Sequence, residues 1–207
     1  MKHRSKLVYF VGSAVIGIIV VISILVGLIV SGVLDVGVKK LVFASASKEV
    51  TYTGEVLTCA EWTFVDGELE EGHTAKVTVT GQRTDVGRAE NTFTVSILDE
   101  DGVDVSGLYE IEKQVGELSI LPIPITVKSE KIETVYTGNP LVGDVDKCSV
   151  TEELLLEGHT YEFILSGSQT DAGSSENTVA IRIYDENGRD VTHNYSVDYD
   201  LGDLVVS

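Results

Sequence analysis

The sequence predicts an all-β protein: two tandem β-sandwich domains behind one N-terminal transmembrane helix. Three observations carry this. The chain repeats itself at a spacing of 86 residues. Each copy alternates apolar and polar residues with period two. One long uncharged apolar run stands ahead of both copies.

The run comes first in the chain. From Leu7 to Leu34 there are 28 positions without a charge. A stretch of about 20 apolar residues spans the hydrocarbon core of a bilayer. Its many Val and Ile residues do not oppose a helix, because lipid offers the backbone no hydrogen-bond partner but itself. Residues 1–6 form a basic stub. Lys2, Arg4 and Lys6 outnumber Lys39 and Lys40, which places the N-terminus in the cytoplasm and the rest outside the cell. The competing reading is a cleaved signal peptide with a small-residue site at Ala44-Ser45-Ala46. The run is far longer than the roughly 7–15 apolar residues of a signal peptide.

The repeat sets the domain boundaries. Gly72-His-Thr74 falls on Gly158-His-Thr160, and Thr84-Asp-Val-Gly87 on Thr170-Asp-Ala-Gly173. Glu90-Asn-Thr92 falls on Glu176-Asn-Thr178, and Asp99-Glu-Asp-Gly102 on Asp185-Glu-Asn-Gly188. Tyr109, Gly116 and Leu118 recur as Tyr195, Gly202 and Leu204; residues 72–118 show 19 identities in 47 gapless positions. Tyr52-Thr-Gly54 recurs as Tyr136-Thr-Gly138, and Leu41 falls on Ile125. The first domain is therefore expected over 41–121 and the second over 125–207.

Within the copies, Phe93, Val95 and Ile97 alternate with polar neighbours, as do Val179, Ile181 and Ile183. Ala75, Val77, Val79 and Tyr161, Phe163, Leu165 repeat the pattern. One face of each strand is buried and the other wet. Thr-Gly, Asp-Gly and Asn-Gly pairs mark the turns between strands. Leu121-Pro-Ile-Pro-Ile125 is a stiff junction, which predicts two domains end to end as a short rod.

Composition narrows the function. The whole chain carries a net charge of −18. Residues 41–207 hold 10 Lys/Arg and 32 Asp/Glu. Such a surface repels phosphate backbones, so nucleic acid is not an expected partner. The two cysteines, Cys59 and Cys148, form no C-x-x-C pair and occupy different places in the two copies. A zinc site is not expected from them, and isolated thiols are.

The candidate sites are few. The loops Asp99–Asp104 and Asp185–Asp190 place oxygen ligands at alternate positions. Asp99, Asp101, Asp104, Asp185 and Asp190 are thus the candidates for a hard cation such as calcium. The later Glu of an EF-hand loop is missing, and Arg189 sits inside the second loop. The same residues read as hairpin turns in which Gly takes positive φ. His73 and His159 are read as structural, since no Ser or Cys recurs beside them to form a nucleophile pair. Glu70 precedes His73 by three residues, but Leu156 replaces it in the second copy. Trp62 has no counterpart in the second copy; aromatic residues favour binding surfaces, but the reading here is a partly buried core residue. Asn194-Tyr-Ser196 matches a glycosylation acceptor. No catalytic constellation is found, so no enzyme and no cofactor beyond the calcium candidates are expected.

The recurring Tyr-Thr-Gly, Gly-His-Thr, Thr-Asp-x-Gly, Glu-Asn-Thr, Asp-Glu-x-Gly-x-Asp-Val, Tyr and Gly-x-Leu elements resemble tandem bacterial Ig-like (MBG-type) repeats of Gram-positive cell-surface proteins and adhesins. The resemblance covers nearly all of 41–207. It implies Ig-like β-sandwich domains, with a β-grasp-like arrangement as the alternative topology. It also implies a spacer or adhesion role on the bacterial cell surface. A chain recognising a wall, glycan or protein ligand outside the cell is the alternative. No Leu-Pro-x-Thr-Gly wall-sorting sequence is present, which leaves residues 7–34 as the visible anchor.

Overall fold

Alternating apolar residues and regularly placed glycines give short strands and tight turns throughout. The computed structural model describes residues 37–207. The cytoplasmic stub 1–6 and membrane span 7–34 lie outside the described residues. Among the described residues no helix is long and apolar enough to cross a membrane.

The described region is twenty strands with four single-turn 3-10 segments. The first ten are β1 (Lys39–Ser45), β2 (Lys48–Thr51), β3 (Leu57–Thr58), β4 (Trp62–Asp66), β5 (Thr74–Val79), β6 (Gln82–Arg83), β7 (Gly87–Asn91), β8 (Phe93–Leu98), β9 (Tyr109–Gln114) and β10 (Gly116–Leu121). The second ten are β11 (Ile123–Ser129), β12 (Ile132–Thr134), β13 (Leu141–Val142), β14 (Cys148–Val150), β15 (Thr160–Leu165), β16 (Ser168–Gln169), β17 (Gly173–Glu176), β18 (Val179–Tyr184), β19 (Tyr195–Leu201) and β20 (Asp203–Val206). The strands begin at Lys39 and Ile123, two residues before the expected starts at 41 and 125. The apolar pattern hides this, because Lys39 and Lys40 pair by backbone with Tyr109 and Glu110 while their side chains stay in water. The junction narrows to Pro122, since Pro124 lies inside β11 opposite Ser196.

The pairings correspond strand for strand. The first copy has β4–β1–β9, β2–β10–β7, β3–β6 and β5–β8; the second has β14–β11–β19, β12–β20–β17, β13–β16 and β15–β18. The first and last segments of each copy run side by side in parallel. Lys39 pairs with Tyr109 and Lys48 with Leu118, a constant separation of 70 across the break between β1 and β2. Ile123 with Tyr195 and Ile132 with Leu204 keep a constant 72. Antiparallel strands flank this central pair on both sides.

At the break a buried polar clamp fixes the bend. Asn91 Nδ2 donates to the carbonyls of Ala46 (2.8 Å) and Cys59 (3.0 Å), and Ser45 Oγ donates to the Asn91 carbonyl (2.7 Å). In the second copy Asn177 Nδ2 donates to the Glu130 carbonyl (2.9 Å) and Ser129 Oγ to the Asn177 carbonyl (2.7 Å). Buried backbone acceptors need such partners where the ladder is broken. Gly116 lies against the same bend, where a Cβ would stand 2.4 Å from the Ala46 oxygen. The recurring Glu-Asn-Thr and Gly-x-Leu elements therefore encode the bend.

The apolar residues divide at this clamp rather than at the junction. Leu41, Phe43, Phe93, Ile97 and Tyr109 form one buried cluster in the leading half of the first copy. Its trailing half, Tyr52, Leu57, Cys59, Leu118 and Ile120, belongs to a second cluster. That cluster continues through Ile123, Ile125, Val127, Ile181, Ile183 and Tyr195 of the second copy. The core thus crosses the junction.

Candidate functional site

The Gly-His-Thr histidines reach the recurring tyrosines. His73 Nδ1 lies 2.7 Å from Tyr109 Oη, which also accepts from the Glu70 N–H at 3.0 Å. His159 Nδ1 lies 2.8 Å from Tyr195 Oη, and the Leu156 N–H donates to that oxygen at 3.3 Å. Each histidine thus pins the start of β9 or β19 to the loop before β5 or β15. Burial holds the His159 imidazole below its ordinary range, against the opposing pull of Asp185 and Glu186. The separation of 36 residues in both copies was the available signal for this pair. Glu70 forms an ion pair with Lys39 and is no second ligand beside His73.

The acidic loops turn their carboxylates inward. Asp99 Oδ1 accepts from the Asp101 and Val103 N–H groups (3.0 and 2.8 Å), and Asp104 Oδ1 from the Ser106 N–H (2.9 Å). Asp185 Oδ1 accepts from Asn187 and Arg189 (3.0 and 2.9 Å), and Asp190 Oδ1 from Thr192 (3.0 Å). Gly102 and Gly188 supply the positive φ each turn requires. Hydrogen bonds from Ser106 hold the Asp104 carboxyl below its usual range, and those from Thr192 do the same for Asp190. Asp185 is lowered first by the Arg189 N–H, and Arg189 Nε adds a contact to its Oδ2 at 3.2 Å. Among the described residues no group of three or more His, Cys, Asp or Glu is placed to hold a metal. The turn geometry accounts for Asp99, Asp104, Asp185 and Asp190; Asp101 contributes only its N–H.

The junction is the most elaborated polar site. Tyr52 of the first copy packs against the His159 and Tyr195 rings, with centroids 6.4 and 6.3 Å away. Asn194 has no exposed surface. Its Oδ1 accepts from the Val86 N–H (2.8 Å) and its Nδ2 donates to Asp85 Oδ1 (2.9 Å). His193 Nε2 and Arg189 Nη2 approach the same carboxylate oxygen at 3.6 and 4.0 Å. Burial raises the Tyr52 phenol above its ordinary range, and the Asp85 charge adds to this. The Asn194-Tyr-Ser match is therefore no glycan acceptor in the folded protein, because its amide nitrogen is sealed in this contact. A shallow cleft of about 480 Å³ opens beside it, lined by Tyr52, Glu55, Glu157, His159, Asp185 and Arg189.

Trp62 lies on the outer strand β4, whose five residues are all exposed. It is 41% exposed, rather than a partly buried core residue. Phe43 lies beneath it and Phe64, at ring separations of 6.1 and 5.0 Å. Both thiols are free; Cys59 is buried and Cys148 half-buried. Burial and then the Asp144 charge push the Cys148 thiol up.

No known family's model matches the chain, and no curated protein matches it.

Proposed function

We propose that the chain is a membrane-tethered surface protein whose two β copies form a stiff extracellular spacer or adhesion module. One observation supports this reading over a secreted one. Ala44-Ser45-Ala46 lies at the end of β1, whose Leu41 and Phe43 are wholly buried. Cleavage there would remove the centre of the β4–β1–β9 sheet and two of the five buried residues of a core cluster, Leu41 and Phe43. The continuous cluster across Tyr52 and Ile125 supports stiffness, because separating the copies would expose it to water. In topology, the parallel central pair flanked by antiparallel strands favours the β-grasp-like arrangement. Both sheets of an Ig sandwich are antiparallel. The recurring His side chains bind the recurring Tyr hydroxyls, and the recurring Asn and Asp side chains bind backbone groups, which suits a non-enzymatic module.

A second reading, ligand binding, draws on β4. Trp62, Phe64 and Val65 are exposed on an outer strand, and exposed apolar edges serve as protein-interaction sites.

The test is membrane fractionation with protease shaving of intact cells, following a C-terminal tag and the mature N-terminus. The anchored reading expects a full-length membrane-embedded chain whose tag is lost on shaving. A soluble chain beginning near Ser45 or Ser47 refutes it.

A further inference from the structure

The junction provides an internal control for the surface at the opposite end of the second copy. Tyr52 and Tyr136 open the same Tyr-Thr-Gly element. Their backbones are held alike: the Tyr52 N–H donates to the Leu121 carbonyl and the Tyr136 N–H to the Ser207 carbonyl, both at 2.8 Å. Leu57 and Leu141 occupy the same register opposite Arg83 and Gln169. Asp85 recurs as Asp171, and the loop bearing it is braced in both copies. Arg83 Nη2 donates to the Val86 carbonyl and Gln169 Nε2 to the Asp171 carbonyl. The frame is common, yet Tyr52 is 3% exposed and Tyr136 58%. The difference is the occupant: the leading end of the second copy covers Tyr52, and none of the described residues covers Tyr136. Beside Tyr136, Val135 is 69% exposed where the first copy has Thr51.

We propose that the trailing end of the second copy, centred on Tyr136 and Asp171, is a docking surface for the leading end of a further domain of this type. The occupant must resemble the leading end of the second copy itself. It needs a His bonded to a Tyr to cover Tyr136, an Asn directly before that Tyr to bind the Asp171 loop, and a cation near the carboxylate. Another copy of this chain does not meet these needs through its first domain. There Leu108 stands in place of Asn194, Gly107 in place of His193 and Val103 in place of Arg189. Asp171 would then meet aliphatic side chains without a donor, at the cost of leaving a polar group unpartnered. The inference is independent of the membrane anchor.

The experiment extends the full chain with a duplicate of residues 122–207 placed after Ser207, which stands where Leu121 stands in the first copy. Tyrosine modification read peptide by peptide compares Tyr136 with Tyr52. In the extended chain Tyr136 should become as unreactive as Tyr52, and Asp171→Ala should restore part of its reactivity. Circular dichroism per residue reports that the added copy is folded. A second arm grafts the docking residues onto exposed positions: Val103→Arg, Gly107→His and Leu108→Asn together in the full chain. This variant should associate head to tail, as a heterologous contact that does not close on itself, and Tyr136→Ala should abolish the association. Protection in the first arm or Tyr136-dependent association in the second supports the proposal. A reactive Tyr136 in the extended chain together with a monomeric triple variant overturns it.

Discussion

Replacing Tyr52 by Ala tests whether the copies share one core. Tyr136→Ala is its matched control, because the two tyrosines share a motif and a backbone environment. The relevant surface is the difference between 3% and 58% exposure. An aromatic side chain buries roughly 200 Å², so the junction covers about 110 Å² of Tyr52. At about 25 cal/mol per Å² this is worth about 3 kcal/mol, in line with the roughly 3–5 kcal/mol cost of deleting a buried aromatic. For a chain of this length about 1 kcal/mol moves Tm by roughly 2–4 °C. Tyr52→Ala should therefore lower Tm by about 6–12 °C, while Tyr136→Ala should stay within about 2 °C. Thermal unfolding followed by circular dichroism reads both. The Tyr52 variant should also split one transition into two, since the copies then unfold separately. Equal shifts for the two variants would refute a shared core.

Two further perturbations follow from the same geometry. Gly116→Ala drives a Cβ to 2.4 Å from the Ala46 oxygen, whereas Gly107→Ala meets nothing within 4 Å; chemical denaturation should show a loss of at least about 1–3 kcal/mol for the first and a change under about 1 kcal/mol for the second. His159 is held below its ordinary value of 6.5 by burial, so the unfolded chain takes up its proton first as the pH falls. The stability it confers is intact above pH 6.5 and is lost as the pH drops below that value; the advantage of the wild type over His159→Gln should shrink across this window, and a difference independent of pH counts against the assignment.

The β character and the two-copy plan were legible because they rest on local signals: alternation along Phe93–Ile97 and Val179–Ile183, and glycines at the turns. The turn role of the acidic loops was legible too, since Asp followed by Gly three residues later is a local motif. Pairings that depend on tertiary register were not. His73 and Tyr109 stand 36 residues apart, and only the parallel alignment of β1 with β9 brings the loop before β5 over the start of β9. Asn91 reads as one polar residue in a strand pattern, and its role depends on a bend in a neighbouring strand pair. The junction was obscured most: Asn194, His193 and Arg189 are places where the copies differ, while Tyr52 and Asp85 match Tyr136 and Asp171 and so read as part of the common fold.

Those differences follow from position in the array. The shared residues, such as Tyr109 and Tyr195 or Asn91 and Asn177, build each copy from within, so both copies need them. Leu108 and Asn194 occupy the same place at a leading end but face different surroundings. Asn194 meets Asp85 and the Val86 N–H of the preceding copy, while Leu108 is 61% exposed. Only a position that meets a neighbour is obliged to match it. At the exposed ends of the copies, divergence therefore marks different surroundings and retention marks matching ones. On this criterion the retention of Tyr136 and Asp171 at the trailing end is informative. Tyr136 has no covering neighbour among the described residues, yet both side chains match those that the first copy uses to receive the second.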